Sequence, residues 1–329
     1  MKIKSTIFAL IALFVAQTVF SESKEISLSS FGNNFEGNEA ITIFYQENVC
    51  PGDAVFVRLC APLNVKGNMS ALLSFSKDGK SVGKTAFYEI PDNSEKKRTA
   101  LLAGLPLSSY LTAGKGVVTI DFSINGIKKS ESISINVVKK EFVSETIQLD
   151  ARNTAIKTND SDERWKQIKK LNKILETRNE TAVRSLLPML PPTKATRRTS
   201  FFADRRVYAY TNGKSSTSLH YGIDYGVPEG SEVRACASGK VVLAEFRIST
   251  GYSTVIEHLP GLYSLYYHQK ELKVKEGDIV KCGDLIGLSG KTGLATGPHL
   301  HWEMRLNMEA VSPDFFTGDF TFEKAATNR

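Results

Sequence analysis

The chain has 329 residues, 41% of them hydrophobic, which is long for one ordinary domain and enough to build a core in each of two. Neither a collagen-like nor a disordered composition is present. The formal charge of +7 is scattered, with no basic stripe interleaved with aromatics, so nucleic acid is not an expected partner.

In chain order, Lys2 and Lys4 precede an almost wholly apolar run over residues 6–20, followed by small Ser21 with Val19 two positions before it. A basic start, a short apolar stretch and a small-residue cleavage site predict a secretory signal peptide over residues 1–21. The run falls short of the roughly 20 residues a spanning helix needs, so no stable membrane span is expected after cleavage. The expected location is the periplasm or the extracellular cell envelope. Export permits disulfides. Of the four cysteines, separation along the chain favours the pairs Cys50–Cys60 and Cys236–Cys282. Neither pair has zinc-finger spacing, so these residues are expected to be structural or free.

Residues 22–150 read as a β-sandwich, Ig-like in general shape. The run Ala54–Val55–Phe56–Val57–Arg58–Leu59 is strand-like, and Asp78–Gly79 and Asn125–Gly126 each stand between two strand-like runs. Both dipeptides favour the positive dihedrals of tight hairpin turns. This part contains no histidine and no catalytic constellation.

A helical linker is expected over residues 151–198. Asp160 is a candidate N-cap, with Glu163 completing a capping box. Trp165, Ile168, Leu171, Ile174 and Leu175 then recur at helical spacing, which predicts a packing face. Pro191–Pro192 and the basic residues 194–198 end the linker. Residues 199–329 return to glycine-punctuated strands, with candidates at 240–246, 253–258 and 263–268 and a turn at Leu259–Pro260–Gly261–Leu262. The fold class is therefore mainly β.

All five histidines lie within residues 220–301, in this last part. His220–Tyr221–Gly222–Ile223–Asp224 separates an imidazole and a carboxylate by four residues, and Gly222, Gly226 and Pro228 disfavour a helix. A strand or loop should present both groups on one side. In a strand, His299, His301 and Glu303 would share a polar face while Leu300, Trp302 and Met304 face a core. Two imidazoles and a carboxylate make a three-ligand site that leaves tetrahedral zinc its fourth position for water, the catalytic arrangement. Competing signatures fail. No His-Glu-x-x-His helix is present, and Gly290–Lys291–Thr292 has Leu285 where a phosphate-binding loop requires glycine.

These residues resemble the lysostaphin/LytM-type peptidases, family M23. The resemblance spans residues 202–314 and rests on five stretches: His220–Tyr221–Gly222–Ile223–Asp224, residues 251–258, Tyr266–Tyr267–His268, residues 275–280 and residues 292–303, which include Gly297–Pro298–His299–Leu300–His301. The residues before it resemble the β-rich leader of exported members. The resemblance implies an antiparallel β peptidase domain at residues 199–329. It implies Zn2+ held by His220, Asp224 and His301, with His268 and His299 as catalytic imidazoles and His258 as a structural one. The implied substrate is bacterial peptidoglycan. Two readings follow: a zinc endopeptidase of peptide cross-bridges, or a non-catalytic regulator that activates other wall hydrolases. Regulators of this type lose metal ligands, and this chain retains them. For the leader, three roles stand: a cover over the groove, a dock for an envelope protein partner, and a spacer or wall anchor. Two positions depart from the family pattern. Ala203 stands where glycine is usual, and Gln269 follows His268 where leucine is usual. The first bears on local loop geometry, the second on packing beside His268.

Overall fold

A computed structural model describes residues 23–28, 41–62, 69–92, 98–184, 186, 188–318, 320 and 322. The expected signal peptide lies outside these residues. No helix among them is long and apolar enough to cross a membrane.

The first half carries β1 (Ser23–Leu28), β2 (Ile41–Gln46), β3 (Asn48–Val49), β4 (Ala54–Ala61), β5 (Met69–Lys77), β6 (Lys80–Ala86), β7 (Tyr88–Ile90), β8 (Thr99–Pro106), β9 (Gly114–Ile124) and β10 (Ile127–Val137). They form two five-stranded sheets, β1-β2-β4-β8-β7 and β3-β10-β9-β5-β6. The sheets enclose one core, with Ile43, Val57, Leu59 and Ala103 from the first facing Leu73, Phe75, Ile120 and Ile135 from the second. The two expected hairpin turns are present. Asp78 and Gly79 have φ of 50° and 74°, and Asn125 and Gly126 have 49° and 81°, the left-handed pair that joins twisted antiparallel strands.

Strand β4 is buried along its whole length, which explains an apolar run broken only by Arg58, itself buried and paired with Asp92 at 2.9 Å. Val55, Val57 and Leu59 point into the sandwich. Ala54, Phe56 and Cys60 point the other way, into a cluster shared with the C-terminal half. Gly104 on β8 is required there, because a Cβ would stand 2.3 Å from the Phe56 ring. This strand also corrects the Cys50–Cys60 expectation. At about 3.3 Å per residue, the extended run between them holds the two sulfurs far beyond disulfide reach. All four cysteines are free. Cys282 Sγ points at the Cys236 carbonyl, 3.2 Å away.

Next come β11 (Ser144–Gln148), α1 (Ala151–Lys157) and α2 (Asp162–Glu176). The N-cap of α2 is Ser161, not Asp160. Its hydroxyl accepts from the Arg164 amide at 3.3 Å, while Asp160 accepts from Trp165 Nε1 at 2.6 Å. The shorter serine side chain sits where the first-turn amides open, which leaves the aspartate to hold the indole. Leu171 and Leu175 pack on Leu243, Val255, Tyr263, Leu265 and Tyr267, so the predicted packing face exists, but Trp165 is 47% exposed and lies outside it. Helix α1 donates from Arg152 and Asn153 to the carbonyls of Gly293 and Ala295.

The C-terminal half contains β12 (Arg198–Ser200), β13 (Arg205–Ala209), β14 (Ser215–Leu219), β15 (Gly222–Tyr225), β16 (Glu232–Arg234), β17 (Gly239–Arg247), β18 (Gly251–Leu259), β19 (Leu262–Leu272), β20 (Ile279–Val280), β21 (Leu285–Ser289), β22 (Leu300–Leu306) and β23 (Glu309–Val311), closed by α3 (Pro313–Thr317). The main path of its large sheet is β12-β15-β22-β19-β18-β17-β20. A small sheet, β11-β13-β14, stands beside it, with β11 parallel to β13.

Candidate metal centre

The site forms where β15, β22 and β19 lie side by side. Asp224 and His301 are direct register partners across β15 and β22, and Tyr267 is the partner of His301 across β19 and β22. Residues far apart in sequence thus meet on one patch of sheet. Gly222 makes the close approach possible, since a Cβ there would stand 2.2 Å from the Trp302 carbonyl oxygen. On β22 the predicted alternation holds for Leu300, Trp302 and Met304, all fully buried, and for His301 and Glu303 opposite them. His299 lies just before the strand, in an isolated bridge to Gly290.

His220 lies between β14 and β15, held by residues 201–204. Its amide donates to the Asp204 carbonyl at 2.9 Å and its carbonyl accepts from the Ala203 amide at 2.7 Å. Ala203 has φ 63°, the left-handed region that explains why glycine suits this position. His220 Nδ1 donates to the Phe201 carbonyl at 2.8 Å, leaving Nε2 for the site. Nε2 is 3.0 Å from Asp224 Oδ1 and 2.9 Å from His301 Nδ1, and the latter two atoms are 2.7 Å apart. His220, Asp224 and His301 are all buried, and their ligand atoms lie within 4.8 Å of one another.

Burial alone would raise the Asp224 carboxyl, but His220 and His301 outweigh it and hold it well below the usual carboxylate range. Burial would lower His301, yet Asp224 and Glu303 outweigh it and push the imidazole up to about 9. Its Nε2 donates to Glu303 Oε1 at 3.0 Å. Glu303 is held down to about 2, against its burial, chiefly by Arg305, which meets its other oxygen at 2.7 Å, and then by His301. The donor set suits zinc, with two imidazole nitrogens and one carboxylate oxygen converging and each imidazole fixed through its other nitrogen.

His268 and His299 stand beside this triangle, their ring centroids 4.6 Å apart. His268 Nδ1 donates to the Thr292 carbonyl and His299 Nδ1 to that of Gly297, at 2.8 and 2.9 Å. His299 Nε2 lies 3.8 Å from Asp224 Oδ1. Burial first, then His299 and His301, push His268 down to about 3. His268 has φ 59°, an uncommon backbone state for a non-glycine residue. Gln269 is only half satisfied where leucine is usual, because its Oε1 is buried with no hydrogen-bond partner among the described residues. It is fully buried, and its Nε2 donates to Thr254 Oγ1 at 2.9 Å and the Tyr266 carbonyl at 3.2 Å.

His258 is distant from this chemistry. Its Nδ1 donates to the Ser238 carbonyl at 2.9 Å and its Nε2 lies 2.7 Å from Ser264 Oγ. Two groups at the site were not anticipated from the sequence: Arg206, whose Nη2 donates to Asp224 Oδ2 at 3.0 Å, and Glu145, which accepts from Arg206 Nε at 2.8 Å. No motif spacing links residues 145, 206 and 224. The pairing of β11 with β13 joins 145 to 206, and a side-chain bond joins 206 to 224.

Residues 218–313 match peptidase family M23. This stretch contains all five histidines and Asp224. The DD-carboxypeptidase/endopeptidase Mpg of Neisseria meningitidis is 42% identical over 95 residues, which is 29% of this chain and 22% of Mpg. The peptidoglycan DD-endopeptidase ShyA of Vibrio cholerae is 37% identical over 105 residues, 32% of this chain and 24% of ShyA. Lysostaphin of Staphylococcus staphylolyticus is 40% identical over 92 residues, 27% of this chain and 19% of lysostaphin. The chain thus spans no more than about a quarter of the length of these curated relatives. A crystal structure from Pseudomonas aeruginosa described as a candidate M23 peptidase aligns over 82% of this chain and 95% of its own, with TM-score 0.52 and 21% identity, a likeness of fold. The chain carries a peptidase family M23 domain.

Proposed function

We propose that this chain is an exported zinc endopeptidase that hydrolyses peptide cross-bridges of bacterial peptidoglycan in the cell envelope. The convergence of His220 Nε2, Asp224 Oδ1 and His301 Nδ1 carries this reading. Those three atoms would hold the ion. When bound, zinc supplies a Lewis acid for a carbonyl oxygen and lowers the pKa of water to about 7.

The remaining chemistry belongs to His268 and His299. Each has Nδ1 committed to a backbone carbonyl, which fixes the ring and keeps Nε2 for the reacting groups. Between them they divide two tasks: accepting the proton of the attacking water, and stabilising the carbonyl oxygen as it turns tetrahedral. The peptidoglycan substrate is supported by the names of Mpg, ShyA and lysostaphin, all similar across the stretch that holds these residues.

The test is digestion of cross-linked muropeptide dimers by the mature chain, with products identified by mass spectrometry. The expected result is conversion of dimers to monomers by the wild type and none by His301→Ala. Intact dimers with a zinc-loaded wild-type chain would overturn the hydrolase reading in favour of the regulator.

A further inference from the structure

The two oxygens of Asp224 do different things. Oδ1 faces His220, His301 and, at 3.8 Å, His299. Oδ2 is taken by Arg206 Nη2 at 3.0 Å. Arg206 in turn donates from Nε to Glu145 Oε1 at 2.8 Å. The arginine and aspartate side chains are 10% and 9% exposed, and Glu145 is 34% exposed. Glu145 and Arg206 are direct register partners in the parallel pairing of β11 with β13. Strand register therefore sets the first half of this line, Glu145 beside Arg206, and the guanidinium reaches across to Asp224 on β15 of the neighbouring sheet.

We infer that Arg206 and Glu145 are positioning residues for the metal, holding Asp224 so that one oxygen alone is presented to the ion. This rests on the zinc-site reading above and adds residues to it. A carboxylate ligand left without an outer partner is free to rotate and offer either oxygen. Removing such partners typically costs 10- to 100-fold in metal affinity. The guanidinium also places a positive charge near the ion, which opposes binding. Glu145 offsets that charge while fixing the fork. Both ends of the arginine fork are in use, Nε to Glu145 and Nη2 to Asp224, and lysine cannot reproduce this with one ammonium on a flexible stem. Both residues lie outside the stretch 218–313 that matches the family model, and Glu145 lies outside the wider resemblance over 202–314 as well. The strength of the centre is thus set in part from β11, which precedes the helices.

The test uses the full mature chain as wild type, Arg206→Lys and Glu145→Gln. The zinc Kd is measured by competition with a chromophoric chelator, and thermal unfolding is measured on the metal-stripped proteins. Arg206→Lys is expected to weaken zinc binding about 10- to 100-fold. Glu145→Gln should produce a smaller loss in the same direction, and both stripped variants should unfold close to the stripped wild type. Glu145 is the more exposed of the two, so its variant keeps the test informative if the arginine variant does not fold. Zinc affinity equal to or tighter than wild type in the folded variants overturns the positioning role, and lower stripped-state stability at unchanged Kd does so too. A wild-type chain that takes up no zinc sinks the metal-site reading itself, and this inference with it.

Discussion

His258 shows how one buried side chain sets a pH dependence. It is 1% exposed, and burial pushes its imidazole down to about 4, with the bond to the Ser238 carbonyl only partly opposing. The unfolded chain takes up a proton near the ordinary 6.5, whereas the folded one refuses it until about 4. Between those values the unfolded state binds more protons, so stability falls as pH falls through that window, by about 3 kcal/mol for this residue. Above about 6.5 the residue adds no slope. His258→Gln should lose this part of the acid-side decline in denaturant unfolding followed from pH 7 to pH 4, and an unchanged slope would contradict the assignment. His268 and His299 call for a different readout. Each replaced by alanine should retain zinc and lose at least about 100-fold in muropeptide cleavage, because general acid–base and oxyanion roles are worth that much. Loss of zinc in either variant would make it a ligand instead.

At the scale of elements, strand β22 was legible in the sequence. Alternation assigned Leu300, Trp302 and Met304 to the core and His301 with Glu303 to the polar side, as the structure has it, whereas His299, assigned to that same strand face, lies just before the strand in a bridge to Gly290. The two dipeptide turns were equally legible, since positive φ restricts residue choice strongly. Helix α1 falls inside the expected helical linker, but its own bounds were not legible, because seven residues give too little periodicity and it is held by long-range bonds to the carbonyls of Gly293 and Ala295. The cap of α2 was misread by one residue, as both Asp160 and Ser161 are competent caps. Ser161→Ala should therefore cost about 1 kcal/mol in unfolding free energy. Asp160→Ala should cost less, through the indole bond alone, and the reverse order would restore Asp160 as the cap. The Glu145–Arg206–Asp224 line was illegible for a third reason: it depends on a parallel strand pairing across some sixty residues, which no local pattern encodes.

Over the whole molecule, the two halves share apolar surface. The outer face of β4 and β8 joins the C-terminal cluster, and the Phe56 ring meets Phe316 and Phe322 edge-on at centroid distances of 6.1 and 5.2 Å. Both tryptophans, Trp165 and Trp302, lie outside the N-terminal sandwich. Phe75→Ala, a truncation in the sandwich core away from that shared cluster, should cost about 3–5 kcal/mol and lower the unfolding midpoint seen by tryptophan fluorescence. An unmoved fluorescence midpoint would show the halves to be energetically separate. The most direct test of the metal centre is elemental analysis of the purified mature chain after zinc dialysis, wild type beside His301→Ala. One zinc per wild-type chain and none in the variant is the expected result, whereas a metal-free wild type, or equal zinc in both, contradicts the account.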